Sequence, residues 1–552
     1  MHVLAYAPWG ADGVIIRVEA DIRRGIPGID ITGLAEGAVR ESRERVRASF
    51  RNSGFAFPTD RILINLAPAG VRKDGTSLDL PIAVSVMAAA GMVSVPDSLM
   101  VLGELELSGQ VRSVRGVLAA IAAGIKEGIT EFIVPLGNSA EASVLPNIRF
   151  FAAATLAEAV HALYIRAQIG ELPEQNTDVR FPFLDSGFYE GDFSEVKGQG
   201  RYKRALEIAA AGGHNLLVFG PPGSGKTMLA RRYPSILPPL ETEEAVEVTR
   251  LHSLAGQFGL PLSSVNPAYT PWGADGLIRQ PPFRSPHHSA STEGILGGGR
   301  YVRPGEITLA HYGALFLDEA TEFRIPVLQS LREPLEDRVI TIVRAEGPLA
   351  LPADFQLILA ANSCPCGRLG AALPGYGTES RGEPDGELSG VPFGGPSGEQ
   401  GCFCSPDEIH RYWRKLGSAL LDRIELRVPV KAPGVLSSGG AGEEDSAAIR
   451  RRVLAAWQIQ KERFRDSGTR RNARMSPGQI EKFCRLSDRA AGAFNIAAAR
   501  LGLSGRACHG ILKIARTIAD LEGKDVPDLV HVLEAVQHRR YGDDPYDILG
   551  GE

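Results

Sequence analysis

The chain has 552 residues, enough for two to four domains that each bury a core. Hydrophobic residues make up 44% and charged residues 23%, an ordinary globular balance, and a formal net charge of -5 excludes nucleic-acid binding by a whole-protein basic field. Six cysteines are too few for a disulfide scaffold at this length, so a reduced, cytoplasmic protein is expected.

The N-terminus, MHVLAYAPWGADG, has neither a basic n-region nor an apolar h-region, and no signal peptide is expected. Over residues 1–170, β-rich runs (GVIIRVEADI, RILINLAP, EFIVPL) alternate with helical runs (AVRESRERVRASFRNSG, VRGVLAAIAAGIKEG), which predicts a compact α/β domain. The longest apolar stretch, LPIAVSVMAAAGMV, starts near a proline and is too short to cross a bilayer, so no membrane partner is expected. Residues 171–192 are polar and weakly periodic and read as a linker. A second α/β unit is expected over 193–432, with strands in NLLVFG, ALFLDE and FQLILAAN. Its tract 367–401 is rich in Gly, Pro and Ser and reads as a surface loop. Residues 433–446 form a second linker, and 447–552 carry only helical patterning.

The strongest chemical signal is GPPGSGKT, with Gly220, Pro221, Pro222, Gly223, Ser224, Gly225, Lys226 and Thr227 between a β-run and a helix. Its glycines let backbone N–H groups wrap phosphates, Lys226 suits the β- and γ-phosphates of ATP, and the Thr227 hydroxyl suits Mg²⁺. ALFLDE ends in Asp318, a second Mg²⁺ ligand through water, and Glu319, able to polarise an attacking water. Asn362 ends the third apolar run, where it could orient that water or simply turn the chain. Between them, IPVLQSLREPLED predicts a helix and RVITIVRAEGPLAL a hairpin. Cys364, Cys366, Cys402 and Cys404 flank the Gly-rich tract and could form a closed Zn²⁺ site or remain four reduced thiols. Cys484 and Cys508 read as packing residues. Adjacent His287 and His288 are expected to splay apart, favouring a structural or subunit-contact role over metal binding.

Long runs, among them DFSEVKGQGRYKRALEIAAAGGHNLLVFGPPGSGKTMLARR, FRSPHHSASTEGILGGGRYVRPGEITLAHYGALFLDE and LREPLEDR, resemble the ComM/YifB family of magnesium-chelatase-like AAA+ ATPases. The resemblance implies an α/β fold class in three parts. These are an N-terminal Lon-protease-like (ribosomal protein S5 domain 2-like) α/β domain, a P-loop AAA+ αβα core and a C-terminal helical lid. It assigns Arg423, in GSALLDRIELRV, as an arginine finger and Arg506, in LSGRACHGILKIAR, as the lid's sensor arginine. A surface ion pair with a carboxylate such as Asp422 is the plainer alternative for both. The implied protein is a homo-hexameric ATPase acting on single-stranded or branched DNA as a branch-migration helicase, with accessory recombination proteins as partners. Arg338 and Arg344 on the hairpin are then candidate DNA contacts, and KERFRDSGTRRNAR is a further basic stretch. A protein remodeller is the alternative. A magnesium-chelatase subunit ranks below it, because such subunits are expected to match only the later part of the chain.

VRKDGTSLDL resembles the loop that carries the serine of the Lon Ser-Lys dyad, with Ser77 at the nucleophile position. The dyad lysine belongs just before VLAAIAAGI, where this chain has Gly116. The nearby Arg112 and Arg115 never deprotonate in proteins, and Lys126 matches a lysine outside the dyad. Lys73, on the same loop, is the one remaining candidate base. A proteolytically silent domain is therefore expected.

Overall fold

The computed structural model describes the chain except residues 1, 34–36, 72, 74–76, 174–190, 260–271, 274, 300–302, 345–346, 370–401, 432–442 and 540–552. Most of both expected linkers, nearly all of the Gly-rich tract and the end of the helical region therefore lie outside the described residues.

The N-terminal part is built on a seven-stranded mixed sheet. Its spatial order is Gly28–Thr32, Arg61–Ala67, Val14–Arg23, His2–Ala7, Leu99–Val101, Glu131–Pro135 and Arg149–Ala153. Val14–Arg23 runs antiparallel to both its neighbours, with Val3 opposite Val18 and Leu66 opposite Val18 on the other side. In Arg61–Ala67, Ile62, Ile64 and Leu66 are fully buried while Arg61 and Leu63 are exposed, the two-residue period of a sheet with one covered face. The cover includes the helix Asp79–Ala89, whose residues 79–88 are all buried. That burial accounts for the longest apolar stretch: it fills a core, and no helix among the described residues is long and apolar enough to cross a membrane.

The central part holds a five-stranded parallel sheet in the order Phe283–Arg284, Ala314–Leu317, Gln356–Ala361, Leu216–Phe219, Leu426–Pro429. Every residue of Leu216–Phe219, Ala314–Leu317 and Gln356–Ala361 is buried, as expected for parallel strands covered on both faces. Because these three strands are neighbours and parallel, their C-terminal ends open on one edge, the usual ligand crevice of such sheets. The expected hairpin is Val339–Arg344 paired with Gly347–Pro352. The expected helix before it is two short helices, Ile325–Ser330 and Arg332–Asp337. Pro334 explains the break, since it has no N–H to donate and its ring crowds the carbonyl of Ser330.

From residue 446 onward the described residues form helices and no strand: Ser446–Arg463, Pro477–Phe483, Asp488–Arg500, Gly505–Leu521 and Leu529–Arg539. Ser476, Ser487 and Ser504 cap three of them by accepting a backbone N–H. Val453, Ile511, Ile514 and Ile518 join one core with Leu216, Val218 and Leu426 of the central sheet, so this bundle packs directly on the strand that leads to the phosphate loop.

Candidate active site

The strand Leu216–Phe219 delivers Gly220, and the helix Lys226–Arg232 starts at the loop's far end. Gly223 and Gly225 have φ of +75° and +84°, which side-chain-bearing residues rarely adopt, so the loop needs glycine at both. Lys226 Nζ donates to the carbonyls of Gly220 and Pro221 at 2.8 Å and to Asn362 Oδ1 at 3.3 Å. Burial pulls the Lys226 ammonium down to about 8, against the opposing charges of Asp318 and Glu319. Thr227 Oγ1 donates to Asp318 Oδ2 at 2.9 Å, and Asp318 Oδ1 accepts the Glu319 N–H at 3.0 Å. Lys226, Thr227, Asp318, Glu319 and Asn362 are thus brought to one edge from three adjacent strands. The hydroxyl and carboxylate of Thr227 and Asp318 form the hard-oxygen pair that Mg²⁺ prefers.

Two contacts around this centre, His288 with Glu319 and Gln199 with the loop, had no signal in the sequence. Glu319 takes a left-handed φ of 50°, leaving its carboxylate exposed, and His288 Nδ1 stands 3.6 Å from Glu319 Oε2. The rings of His287 and His288 lie 4.1 Å apart, centroid to centroid, which corrects the expectation that they splay: the turn at His287–Ala290 tilts one ring over the other. Gln199, also at a left-handed φ (58°), clamps the loop from behind, its amide donating to the carbonyls of Ser224 at 3.0 Å and Lys431 at 2.9 Å. Neither contact has a local signature.

Arg423 and Arg506 do not join this cluster. Arg423 Nη2 lies 2.8 Å from Glu336 Oε1, and the Arg506 guanidinium pairs with the same oxygen. Asp422 supplies the alignment, accepting from Ser504 at 3.3 Å and from Arg539 at 3.0 Å, so the lid helix that starts at Gly505 is fixed to the Arg423 turn. Both arginines line a cavity of about 560 Å³ with Glu336, Arg338, Arg474 and Lys513, a lining that includes none of Lys226, Thr227, Asp318 or Glu319. Arg338 belongs to this cavity and not to the hairpin's exposed end: a left-handed φ of 59° turns it inward, and Nη2 donates to the Arg474 carbonyl at 3.3 Å. Burial, with the Arg474 charge beside it, lowers its pKa. Arg338 thus sits at the root of the hairpin, on the lining of this cavity. Arg344 ends the hairpin's first strand, but its side chain lies outside the described residues.

The cysteine pairs converge: the Sγ atoms of Cys364, Cys366, Cys402 and Cys404 all lie within 4.8 Å of one another. Cys484 is buried with Phe464, Met475 and Ile480, while Cys508 is a partly exposed residue of a lid helix.

In the N-terminal part, Ser77 is half-buried, and its carbonyl accepts from Gly103 N at 3.2 Å. Lys73 is fully buried, with Nζ donating to the Pro68 carbonyl, and burial lowers its pKa. Gly116 lies directly under Leu254 of the helix Thr242–Leu254: a Cβ there would come within 3.1 Å of a Leu254 methyl. Alongside, the buried Glu141 carboxylate accepts from Leu118 N and Asn138 Nδ2 at 2.9 Å and from the Ser253 hydroxyl. Arg250 pairs with Asp12 at 2.6 Å. The dyad-lysine position is therefore part of the seam between the N-terminal part and the ATPase core.

A five-stranded parallel sheet with a phosphate loop, an acidic strand end and a polar neighbouring strand end defines the P-loop ATPase class. Family models described as "Magnesium chelatase, subunit ChlI", "Subunit ChlI of Mg-chelatase" and "Magnesium chelatase, subunit ChlI C-terminal" match residues 192–375 with 392–435, residues 18–138, and residues 443–539. The chain is 38% identical to the competence protein ComM of Haemophilus influenzae over 541 residues, covering 97% of each, and 37% identical to the uncharacterized protein YifB of Escherichia coli over 537 residues, covering 97% and 96%. A Lon protease of Salinispora arenicola is 28% identical over 144 residues, 25% of this chain and 18% of that protein. The chain belongs to the ComM/YifB family of magnesium-chelatase-like AAA+ proteins, and that membership implies ATPase activity. The match to 18–138 also corrects the expectation that chelatase subunits resemble only the later part of the chain.

Proposed function

We propose that the chain forms a homo-hexameric ring and couples ATP hydrolysis to movement on single-stranded or branched DNA, as a branch-migration helicase of recombination and transformation. The observation that carries the ring is the separation just described. Arg423 and Arg506 share Glu336 in a cavity that contains none of the chain's own phosphate-binding residues. Two arginines held together away from their own nucleotide site are arranged to serve a neighbour's. The name of the competence protein from Haemophilus influenzae, matched over nearly its whole length, favours DNA as the track.

Bound MgATP supplies the phosphoryl group, and the chain's residues do the rest. Backbone N–H groups of Gly223, Ser224 and Gly225 and the Lys226 ammonium would hold the phosphates, while Thr227, and Asp318 through water, would hold Mg²⁺. Glu319 would accept the proton of the attacking water as its oxygen bonds to the γ-phosphorus and ADP leaves, with Asn362 orienting that water and Arg423 and Arg506 of an adjacent subunit stabilising the charge that develops on the transferred group. His288 and Lys226 set the positions of Glu319 and Asn362.

The N-terminal domain acts as a docking module and not as a peptidase. The base position is Gly116, Leu254 covers it, and Lys73 is engaged by Pro68. The deciding experiment compares ATPase stimulation by branched DNA, single-stranded DNA and an unfolded protein, together with strand exchange on a synthetic four-way junction. Stimulation by branched DNA with junction movement is expected. Stimulation by unfolded protein alone would replace the DNA motor with a protein remodeller, and stimulation by neither would point toward a chelatase-type subunit.

A further inference from the structure

We infer that Cys364, Cys366, Cys402 and Cys404 bind one Zn²⁺ as a closed tetrathiolate clip that fixes the catalytic edge of the ATPase core. Cys364 and Cys366 Sγ are 3.4 Å apart, and Cys402 Sγ is 3.6 Å from each of them. A tetrahedral zinc with Zn–S bonds of about 2.3 Å needs sulfur–sulfur edges of about 3.8 Å, which these separations approach from below and the 4.8 Å outer limit encloses. The separations are too long for disulfides, and all four cysteines are free. Packing four thiols around one point without pairing them has little value as apolar burial, since only Cys364 is fully buried.

The surroundings support a metal-bound sulfur. Leu369 N–H points at Cys364 Sγ at 3.4 Å, the kind of donor that steadies a ligating thiolate. The segment Cys364–Gly367 closes as a tight turn, with Gly367 N donating to the Cys364 carbonyl at 3.0 Å and Gly367 at a φ of +76°. That turn presents two sulfurs only two residues apart to the same centre. Among the described residues the cluster consists of cysteines alone, so four thiolates would complete a tetrahedron and leave no open position. Such a site is structural. An all-thiolate tetrahedron suits zinc or iron, and zinc needs no redox partner.

The position of the clip gives it a purpose. Cys364 follows Asn362 by two residues, and Cys404 precedes Ser405, the N-cap of the helix Pro406–Arg414. Trp413 of that helix donates from Nε1 to the Ser363 carbonyl at 3.0 Å. A Cβ on Gly367 would come within 2.8 Å of Pro222 Cδ, so the turn leans on the phosphate loop itself. Zinc would therefore tie together the strand end bearing Asn362, the back of the phosphate loop and the helix that leads toward Arg423. It would also close the 36-residue interval from Cys366 to Cys402. The inference does not depend on which polymer the motor follows.

The test is metal analysis of the full-length protein purified and dialysed under reducing conditions against a chelator weaker than a tetrathiolate site. About one zinc per chain is expected. Cys402→Ser and Cys404→Ser should lose it, while Cys484→Ser and Cys508→Ser keep it. Replacing zinc with Co²⁺ in the wild type should give the intense visible bands and thiolate charge-transfer absorption of a tetrahedral all-sulfur site, a readout that does not depend on whether the serine variants fold. Wild type that takes up no zinc when reduced, iron in its place, a cobalt spectrum without thiolate ligation, or zinc retained in a Cys402→Ser/Cys404→Ser double variant would each overturn the inference.

Discussion

Arg423→Ala tests the claim that the ATP site is completed between subunits. Arg423 contacts Glu336 and the Ala419 carbonyl and none of Lys226, Thr227 or Asp318, so the substitution leaves the phosphate-binding contacts within the chain intact. The Glu336 carboxylate is over one-third exposed (37%) and keeps Arg506 as a partner, so losing this arm of the pair leaves no unpaired buried charge on Glu336. Hydrolysis is a different matter. A guanidinium facing the transferring phosphoryl group contributes about 10³–10⁵-fold in rate, so Arg423→Ala should bind ATP normally and turn over at least about a thousandfold more slowly. Lys226→Ala fails at the opposite half of the site. In an equimolar random mixture, an interface works when an Arg423→Ala pocket meets an intact finger from a Lys226→Ala subunit. That pairing occurs at roughly one interface in four, so about a quarter of the wild-type rate per interface should return if interfaces act independently. Steady-state ATPase assays on the two variants apart and mixed, with mixed assembly verified by differently tagged chains, make the measurement. Absence of recovery in demonstrably mixed assemblies would refute the shared-site reasoning and leave Arg423 as a local structural arginine.

Glu319→Gln should keep nucleotide affinity but nearly stop turnover, so that ATP and not ADP is recovered from the protein after incubation; undiminished hydrolysis would remove Glu319 as the water-polarising group. Ser77→Ala should leave ATPase activity unchanged, and wild type should cleave no unfolded protein in the presence of ATP. Cleavage that vanishes in Ser77→Ala would instead make Lys73 the base to examine. His252 is buried, bonded at 3.1 Å to the Leu309 carbonyl, and burial holds its pKa down to about 3, against about 6.5 when unfolded. The unfolded chain therefore binds a proton that the native one refuses, so this contribution is complete above pH 6.5 and is lost as pH falls toward 3, by about 2 kcal/mol at pH 5. Between pH 7.5 and 5 the melting temperature of His252→Gln should fall less than that of wild type, and an identical fall would show that His252 does not carry the effect.

What the sequence made legible was local. GPPGSGKT fixes its own conformation through its glycines, and the apolar runs ending at Asp318 and Asn362 become adjacent parallel strands because runs with no polar face need cover on both sides. The hairpin at 339–352 was equally readable from alternation and a glycine near its turn. The failures were of direction and of distance. Arg338 has the composition of an exposed hairpin root, but one backbone torsion aims it into the Arg423 cavity. The single predicted helix at 325–337 breaks at Leu331, because Pro334 has no N–H to donate to the Ser330 carbonyl. His288 at Glu319, Glu336 between Arg423 and Arg506, and Glu141 at Ser253 join residues 31 to 170 positions apart, and no periodicity encodes such pairings.

The seam at Gly116 gives the proposed peptidase silence of the N-terminal domain a structural reason beyond the missing base. The helix Thr242–Leu254 reaches the N-terminal part through Arg250, Ser253 and Leu254, roughly one turn of helix, and meets Asp12, Glu141 and Gly116 respectively. A lysine at 116 would have to adopt a left-handed φ of 76° and displace the Leu254 side chain. It could not be restored as a base without opening the seam. Glu141 makes the point from the other side. Burial raises its pKa, and its donors include Leu118, Asn138 and Ser253, so removing it would strand buried polar groups on both sides at about 1–3 kcal/mol each. The surface that a Lon-type peptidase would devote to its catalytic lysine is here devoted to holding the domain on the ATPase core. The same helix packs through Leu251 into the core that contains Leu217, Leu315 and Leu357 of the nucleotide-site strands. A displacement of those strands would reach the N-terminal domain through one rigid element, which suits a module docked on the ATPase core better than an independent hydrolase tethered to it.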